Sequence, residues 1–545
     1  MTTSNALLVG TLALPLVLLA ACLWSAARDR MLPWLVVAPL PALLAALGVD
    51  RGTTVTLIAA GSYEGVLALD APGALLLGVA ALLWSAAGAY AATYQRDLPN
   101  RGRFAASWLL CLTGCLGVFV AADMALLYLT LASMTLGASA LVFQDESAGA
   151  RRAAGIYLGL ALAGETLVLV AMILLAQATP EGSLLIRDAA LVLPSAAHRD
   201  LIVVLLIVGF GLKAGLVPLH VWMPLAHAAA PMPASAVLSG VVVKAGIIGL
   251  IRFLPVDAGL ADWGNLLAIA GMFTALYAVA IGITQPHPKV VLAYSSVSQM
   301  GFTAAVIGMG IANLEAATPV LAAFYATHHI LVKGAMFLLV GIVAATAGTR
   351  LRGTLLLAAV LAVGLGGLPL TGGAVAKLAV KGPLGSGWAA TVAYASAVGT
   401  TLLMLHFLRR VAANSAAEPS ARAAAGLRWP WLVMAVAAIV VPWAIYLGLS
   451  LGTVAEAIAP KALWASLWPV GVGAALAWWL ARAGDRLPRI PPGDVAVGID
   501  RGVAAGARAG VALLRADGVL RQWSVAGVSL LTLAALFVLA IMAGH

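Results

Sequence analysis

The stretch LLIVGFGLKAGLVPLHVWMPLAHAAAPMPASAVLSGVVVKAGIIGLIR, residues 205–252, decides how the chain is read. It is apolar enough to lie inside a bilayer, yet it carries Lys213, His220, His227 and Lys244 and is interrupted by Pro218, Pro224, Pro231 and Pro233. A lysine at the bilayer centre costs roughly 2.5–3.5 kcal/mol, so its presence points to function. Prolines break the helical ladder, and the freed backbone groups are tolerated at that depth only where protein or a water-filled cavity satisfies them. A broken helix holding ionisable groups at mid-depth is how ion-translocating proteins build a path.

Outward from this stretch, composition sets the class. The 545 residues are 63% hydrophobic and 10% charged, against about 25% charged in soluble domains. The chain is an all-α polytopic membrane protein. Cys22, Cys111 and Cys115 have no metal-ligand spacing and read as core packing. No iron–sulfur, haem or zinc pattern is visible, so no cofactor and no metal are expected. Residues 5–25, preceded by MTTSN with no basic segment, read as a retained helix rather than a cleaved signal.

Helices are expected at about 5–25, 31–48, 71–94, 104–122, 124–143, 152–178, 201–226 (broken), 233–254, 264–284, 290–312, 318–347, 354–380 (broken), 386–410, 429–452, 462–483 and 523–543, about sixteen spans in all. Basic residues concentrate in cytoplasmic loops. Alternate loops split them unevenly: twenty-one, Lys289 among them, fall on one side and six (Arg51, Arg187, Arg199, Arg252, Lys381, Lys461) on the other. Both termini are therefore expected outside the cytoplasm of a bacterial inner membrane. Basic charge gathered in loops argues for lipid contact and against nucleic acid.

Four lysines, Lys213, Lys244, Lys333 and Lys377, remain inside predicted helices. Together they would cost about 10–14 kcal/mol at the insertion-scale rate. Glu165, in YLGLALAGETLVLVAMILL, is the one acidic residue well inside a helix, whereas Asp123 sits at a helix boundary. Glu165 lies about 20 Å along its helix from Arg152, and Lys213 reaches a similar depth from the opposite side, so the two are candidates to pair.

Helices 4–8 and 9–13 form two five-helix units whose fourth members are broken, by GLVPLHVWMPL (215–225) and GLGGLPLTGG (364–373). Five is odd, so the second copy is inverted relative to the first, the plan of transporters. The expected domains are a three-helix flank over 1–103, repeats over 104–254 and 255–410, two helices within 411–483, and a basic amphipathic segment with a final helix over 484–545. The segment 484–522 reads as a helix lying on the anionic inner leaflet or as a contact to a partner subunit. WPWLV, ALWASLWPV and LAWWLAR are interfacial anchors.

The candidate proton path comprises Glu165, Lys213, His220, His227, Lys244, His328, His329, Lys333 and Lys377. Burial and a neighbouring cation favour a neutral lysine, an acid partner favours the ammonium, and histidine relays between the two. Structural readings compete at several positions. His220 and His227 could satisfy carbonyls freed at the break, Glu165 could be a static counter-ion, and Lys377 could snorkel to the surface. His328 and His329 point about 100° apart on a helix, and His329, one turn before Lys333, is the one expected to face the path.

These residues resemble a known family. The stretch 209–253, with VVLAYSSVSQMGF (290–302), HHILVKGAMFL (328–338) and GLPLTGGAVAK (367–377) in that order, is similar to the antiporter-like membrane subunits shared by respiratory complex I, group 4 membrane-bound hydrogenases and Mrp cation/proton antiporters. The wording KAGLVPLHVWMPLAH leans to the hydrogenase-type branch. The resemblance covers about residues 104–410. It implies a fourteen-helix core with two inverted five-helix units, a proton path through the positions of Lys213, Lys244, His329, Lys333 and Lys377, and membrane subunits as partners. One departure matters: LASMTLG (131–137) puts Ala132 where the family carries a glutamate, and Leu225 replaces a second acid. Either Glu165 supplies the missing charge or the subunit is a structural scaffold with a disabled path. Protons are the expected ion, since Na⁺ prefers several hard oxygen ligands; an Mrp-type Na⁺/H⁺ antiporter module is the alternative.

Overall fold

A computed structural model describes residues 2–60, 63–418, 420–483, 488, 490–495 and 508. The chain separates into two compact units, Met1–Pro492 and Gly493–His545. All that follows concerns the first; the expected final helix over 523–543 and most of the amphipathic segment lie outside the described residues.

The helices used below are α1 Thr3–Ala21, α2 Leu40–Gly48, α3 Ala71–Tyr94, α4 Arg101–Val120, α5 Met124–Val142, α6 Ala148–Ala178, α7 Arg199–Ala214, α8 Trp222–Ala229, α9 Met232–Phe253, α10 Ala261–Gly282, α11 Pro288–Ala312, α12 Thr318–Ala344, α13 Gly348–Gly366, α14 Gly372–Ala379, α15 Trp388–Ala412, α16 Ala425–Gly448 and α17 Pro460–Ala483. Among the described residues thirteen helices are long and apolar enough to cross a membrane. The chain is a multi-pass membrane protein. The second expected span differs: Pro39 and Pro41 divide it into a 3₁₀ turn, Leu32–Val36, and the short α2.

The loop before α3 also differs from an all-helical expectation. Thr54–Ala60 (β1) and Tyr63–Ala68 (β2) form an antiparallel hairpin. Its Val66 N–H donates to Asp123 Oδ2 at 2.7 Å, and the same carboxylate caps α5 by accepting from Leu126 N at 2.8 Å. The Thr/Val alternation TVTL was available as a strand signal.

Small residues let the central helices touch backbone to backbone. A Cβ on Gly271 would sit 2.5 Å from the Gly301 carbonyl, and one on Gly308 2.5 Å from that of Gly264, so α10 and α11 meet at two glycine pairs. Helices α11 and α12 lie almost wholly inside the protein, at 100% and 94% burial over their apolar windows. They form the interior wall against which the ionisable groups are placed.

Both broken helices end in the same way. α7 stops at Gly215, φ +81°, where Leu216 N–H bonds Gly211 O and Gly215 N–H bonds Leu212 O. α13 stops at Gly367, φ +108°, where Leu368 N–H bonds Val363 O and Gly367 N–H bonds Gly364 O. Each break is a left-handed glycine cap with the bonding expected of such an end, followed by proline and then an eight-residue helix, α8 or α14.

Candidate functional site

The first group is built where α5, α6 and α7 meet. Gly164 on α6 and Gly209 on α7 face each other, a Cβ on Gly209 falling 2.9 Å from Gly164 O, so the two backbones touch beside Glu165 and one turn before Lys213. In that crossing Lys213 Nζ lies 2.5 Å from Glu165 Oε1, and both side chains are almost fully buried. Thr135 on α5 completes a triangle, its hydroxyl within 2.5 Å of both the carboxylate and the ammonium. Thr135 escaped the sequence reading; its signal was its place one turn beyond Ala132, on the same face of the helix.

Two residues other than the histidines satisfy backbone groups at the break after α7. Trp222 Nε1 donates to the freed Leu212 carbonyl at 3.0 Å, and Thr274 Oγ1 accepts Val217 N–H at 3.1 Å. His220 is buried edge-on against Tyr277, 5.6 Å between centroids, and tilted on Tyr294 at 6.0 Å. His227 stacks obliquely on Phe337 at 5.0 Å, within the electrostatic field of Lys289, Lys333 and Lys244.

The second group lies where α9, α11 and α12 meet. A π turn over Leu238–Val242 widens α9, and the carbonyl of Ser239 in that turn accepts the Lys244 ammonium at 3.1 Å; such turns gather at functional sites. Lys244 Nζ also lies 2.5 Å from His329 Nδ1. Ser239 Oγ meets Ser296 Oγ at 2.6 Å, Ser296 donates to Leu292 O at 3.0 Å, and Lys333 Nζ donates to that same carbonyl at 3.1 Å. Lys244 and Lys333 are thus bridged by Ser239, whose carbonyl takes the Lys244 ammonium while its hydroxyl meets Ser296, and by the Leu292 carbonyl, which accepts from both Ser296 and Lys333, with His329 beside Lys244. All of these side chains are buried.

His328 and His329 face different partners. While His329 meets Lys244, His328 turns to the second break: a Cβ on Gly373, at the start of α14, would lie 3.1 Å from its Cε1. Lys377, one turn further along α14, places Nζ 5.3 Å from the Phe302 ring centroid, and no atom of the described residues accepts a hydrogen bond from it. Its ammonium is buried, so it does not snorkel to the surface. Nearby, Tyr325 donates to Gln299 Oε1 at 2.7 Å and Gln299 Nε2 to Thr400 at 2.9 Å, a buried polar run that links α12, α11 and α15.

Lys289 was also missed as a buried group. Its side chain is 4% exposed, donates to Ala228 O at 3.2 Å and to Ala230 O, and lines a cavity of about 340 Å³ with Gln95, Asn100 and Asp145. Counting it with a loop placed it one residue outside the helix that holds it.

A sequence profile described as NADH:quinone oxidoreductase/Mrp antiporter, TM, matches residues 121–405, which contain every residue of both groups. The chain belongs to this family. Among family relatives, hydrogenase-4 component B of Escherichia coli (strain K12) is 31% identical over 291 residues, 50% of this chain and 42% of the relative. NADH-quinone oxidoreductase subunit N of Desulforudis audaxviator (strain MP104C) is 32% identical over 300 residues, 52% of this chain and 57% of the relative. The chain therefore spans about half the length of these relatives. The solved Mrp complex from Dietzia sp. DQ12-45-1b contains a chain of the same fold, with a TM-score of 0.77 at 24% identity over 99% of this chain and 63% of that one. In the family setting the helix 5 position occupied by Ala132 is half-buried, and the carboxylate that reaches Lys213 comes from α6.

Proposed function

We propose that this chain is a proton-translocating, antiporter-like subunit of a larger membrane complex of the respiratory or hydrogenase type. The observation that carries the reading is the bonded run from Lys244 through Ser239, Ser296 and the Leu292 carbonyl to Lys333, flanked by the Lys213–Glu165 pair on one side and Lys377 on the other. The two alike helix breaks support an inverted repeat over 104–254 and 255–410 whose broken members each hold a lysine.

In this scheme the Lys213 ammonium is held by Glu165. Withdrawing or neutralising that carboxylate leaves a cation alone in apolar surroundings, which favours release of its proton. Lys244 and Lys333 share one polar run, so protonating one disfavours a proton on the other, and His329 carries the transfer between them. His328 links this centre to Lys377. Protons would pass from the cytoplasm through Glu165/Lys213 and Lys244 to His329/Lys333 and out near Lys377, with both termini on the far side of a bacterial inner membrane. A change in a partner subunit would move Glu165. Sodium fits less well: the oxygens at Lys213 are one carboxylate and one hydroxyl, both already taken by the ammonium.

The test is proton pumping by the complex in sealed vesicles. Lys213→Ala and Glu165→Ala should each abolish it while the complex still assembles. Unchanged pumping in both variants sinks the proposal, and loss of assembly alone would favour the scaffold reading that Ala132 raises.

A further inference from the structure

A cavity of about 420 Å³ lies beside α14, walled by α15 and α17. Three lysines line it, Lys377, Lys381 and Lys461, and no acidic side chain among the described residues does. Glu315 comes near, its carboxylate against Gly382, but is not part of the lining. The innermost lysine, Lys377, presents a buried ammonium with no protein acceptor. Ser386, Ser466 and Tyr394 add polar side chains to the wall. Three ammonium groups around one partly open space repel one another, and burial together with Lys461 holds Lys381 below the usual lysine value. Such a site lacks a negative charge.

We infer that this cavity binds a phosphate-bearing anion, the headgroup of an anionic lipid or free phosphate, between Lys377, Lys381 and Lys461. Lysine binds phosphate as a point charge with three donors, which suits an approach from several sides. The position suits a lipid as well. α15 begins at the exposed Trp388 and α17 carries the exposed Trp464 in its first turns, at 43% and 67% exposure, and tryptophan marks headgroup level. The volume admits a phosphate with its glycerol ester while leaving acyl chains outside. The site shares Lys377 with the proposed proton route, and its labelling test is read separately from pumping.

The full-length chain in lipid nanodiscs provides the test. Limited acetylation reports on Lys381 and Lys461, both exposed enough to react, with mass spectrometry as the readout. Three conditions are compared: phosphatidylcholine discs, the same discs with inorganic phosphate, and discs containing phosphatidylglycerol. A bound anion slows labelling of both lysines about tenfold, by phosphatidylglycerol if the ligand is a lipid and by inorganic phosphate if it is free. Lys377→Met should remove most of that protection and Lys377→Arg should keep it. Equal labelling in all three conditions overturns the site. Protection that persists undiminished in Lys377→Met overturns it too, since surface attraction would then suffice. If Lys377→Met stops pumping but protection is unchanged, the anion fails and the proton route stands.

Discussion

Glu165 and Lys213 share a buried ion pair at 2.5 Å, with the Thr135 hydroxyl bonded to both partners. Breaking a buried pair by removing one partner costs about 3–5 kcal/mol, whereas replacing both with apolar groups is close to neutral. Glu165→Gln should therefore lower the unfolding temperature clearly and stop proton transport. The double variant Glu165→Met with Lys213→Met should regain the stability and not the transport. Thermal unfolding in detergent and dye-quench pumping assays separate the two effects; recovery of transport in the double variant would contradict the role given to Lys213.

The family resemblance places an acid at the position of Ala132, one turn before Thr135. Restoring it in the absence of the α6 carboxylate, as Ala132→Glu with Glu165→Gln, should return transport lost in Glu165→Gln alone. Vesicle pumping with both single variants beside the double one decides this. No rescue would mean that only a carboxylate on α6 can reach the Lys213 ammonium.

Much of this arrangement was legible in the sequence, because burying a charge is costly enough to leave few explanations. Depth along two helices already paired Glu165 with Lys213, and prolines with flanking glycines located both breaks. Hydroxyls gave no such signal. Thr135, Ser239 and Ser296 are cheap to bury on a helix, where a hydroxyl can bond the backbone one turn before it, as Ser296 does, so nothing marked them as bridges. The π turn at Leu238–Val242, whose Ser239 carbonyl takes the Lys244 ammonium, was equally silent, since nothing in LSGVV sets it apart from an ordinary apolar helix. His328 and His329 were rightly seen to diverge, but helix geometry alone could not tell that His328 faces α14. Lys289 was lost to a helix boundary one residue out, the least dependable feature of any sequence reading.

The hydroxyl bridge between Lys244 and Lys333 predicts graded effects. Removing both hydroxyls, as Ser239→Ala with Ser296→Ala, takes away the polar link between the two carbonyls that hold Lys244 and Lys333 but leaves His329 beside Lys244. Pumping should slow about tenfold, the effect of roughly 1.4 kcal/mol on a barrier. Lys244→Met should abolish it. Equal rates in the double serine variant and the unaltered protein would assign the whole transfer to His329.

Close backbone approach between α10 and α11 leaves no room for a side chain at Gly271, where a Cβ would meet Gly301 O at 2.5 Å. Gly271→Leu should push these helices apart and cost about 1–3 kcal/mol or more, as overpacking does. The unfolding temperature should fall markedly. A leucine at Gly155, an exposed glycine on α6 where an added Cβ meets nothing within 4 Å, should leave it unchanged by comparison.

Arg252, at the end of α9, is bidentate to Asp70 at 2.9 and 3.0 Å and also donates to the carbonyls of Val118, Phe119 and Ala121. Burial alone would raise the Asp70 carboxyl, but the guanidinium and its hydrogen bonds outweigh that and hold it below the ordinary aspartate value. A carboxyl lowered on folding adds stability above its unfolded value, near pH 4, and loses it as pH falls through the folded value. Because the Asp70 side chain is 43% exposed, the contribution stays within about 1 kcal/mol. Asp70→Asn should therefore unfold slightly below the unaltered protein at neutral pH, by a constant margin down to about pH 5, and the margin should close at more acidic pH. Since Arg252 keeps three carbonyl acceptors, the variant should still fold. A margin that survives undiminished at about pH 2 would show that something other than the Asp70 charge stabilises this corner, since asparagine can still accept Gly73 N–H at the start of α3.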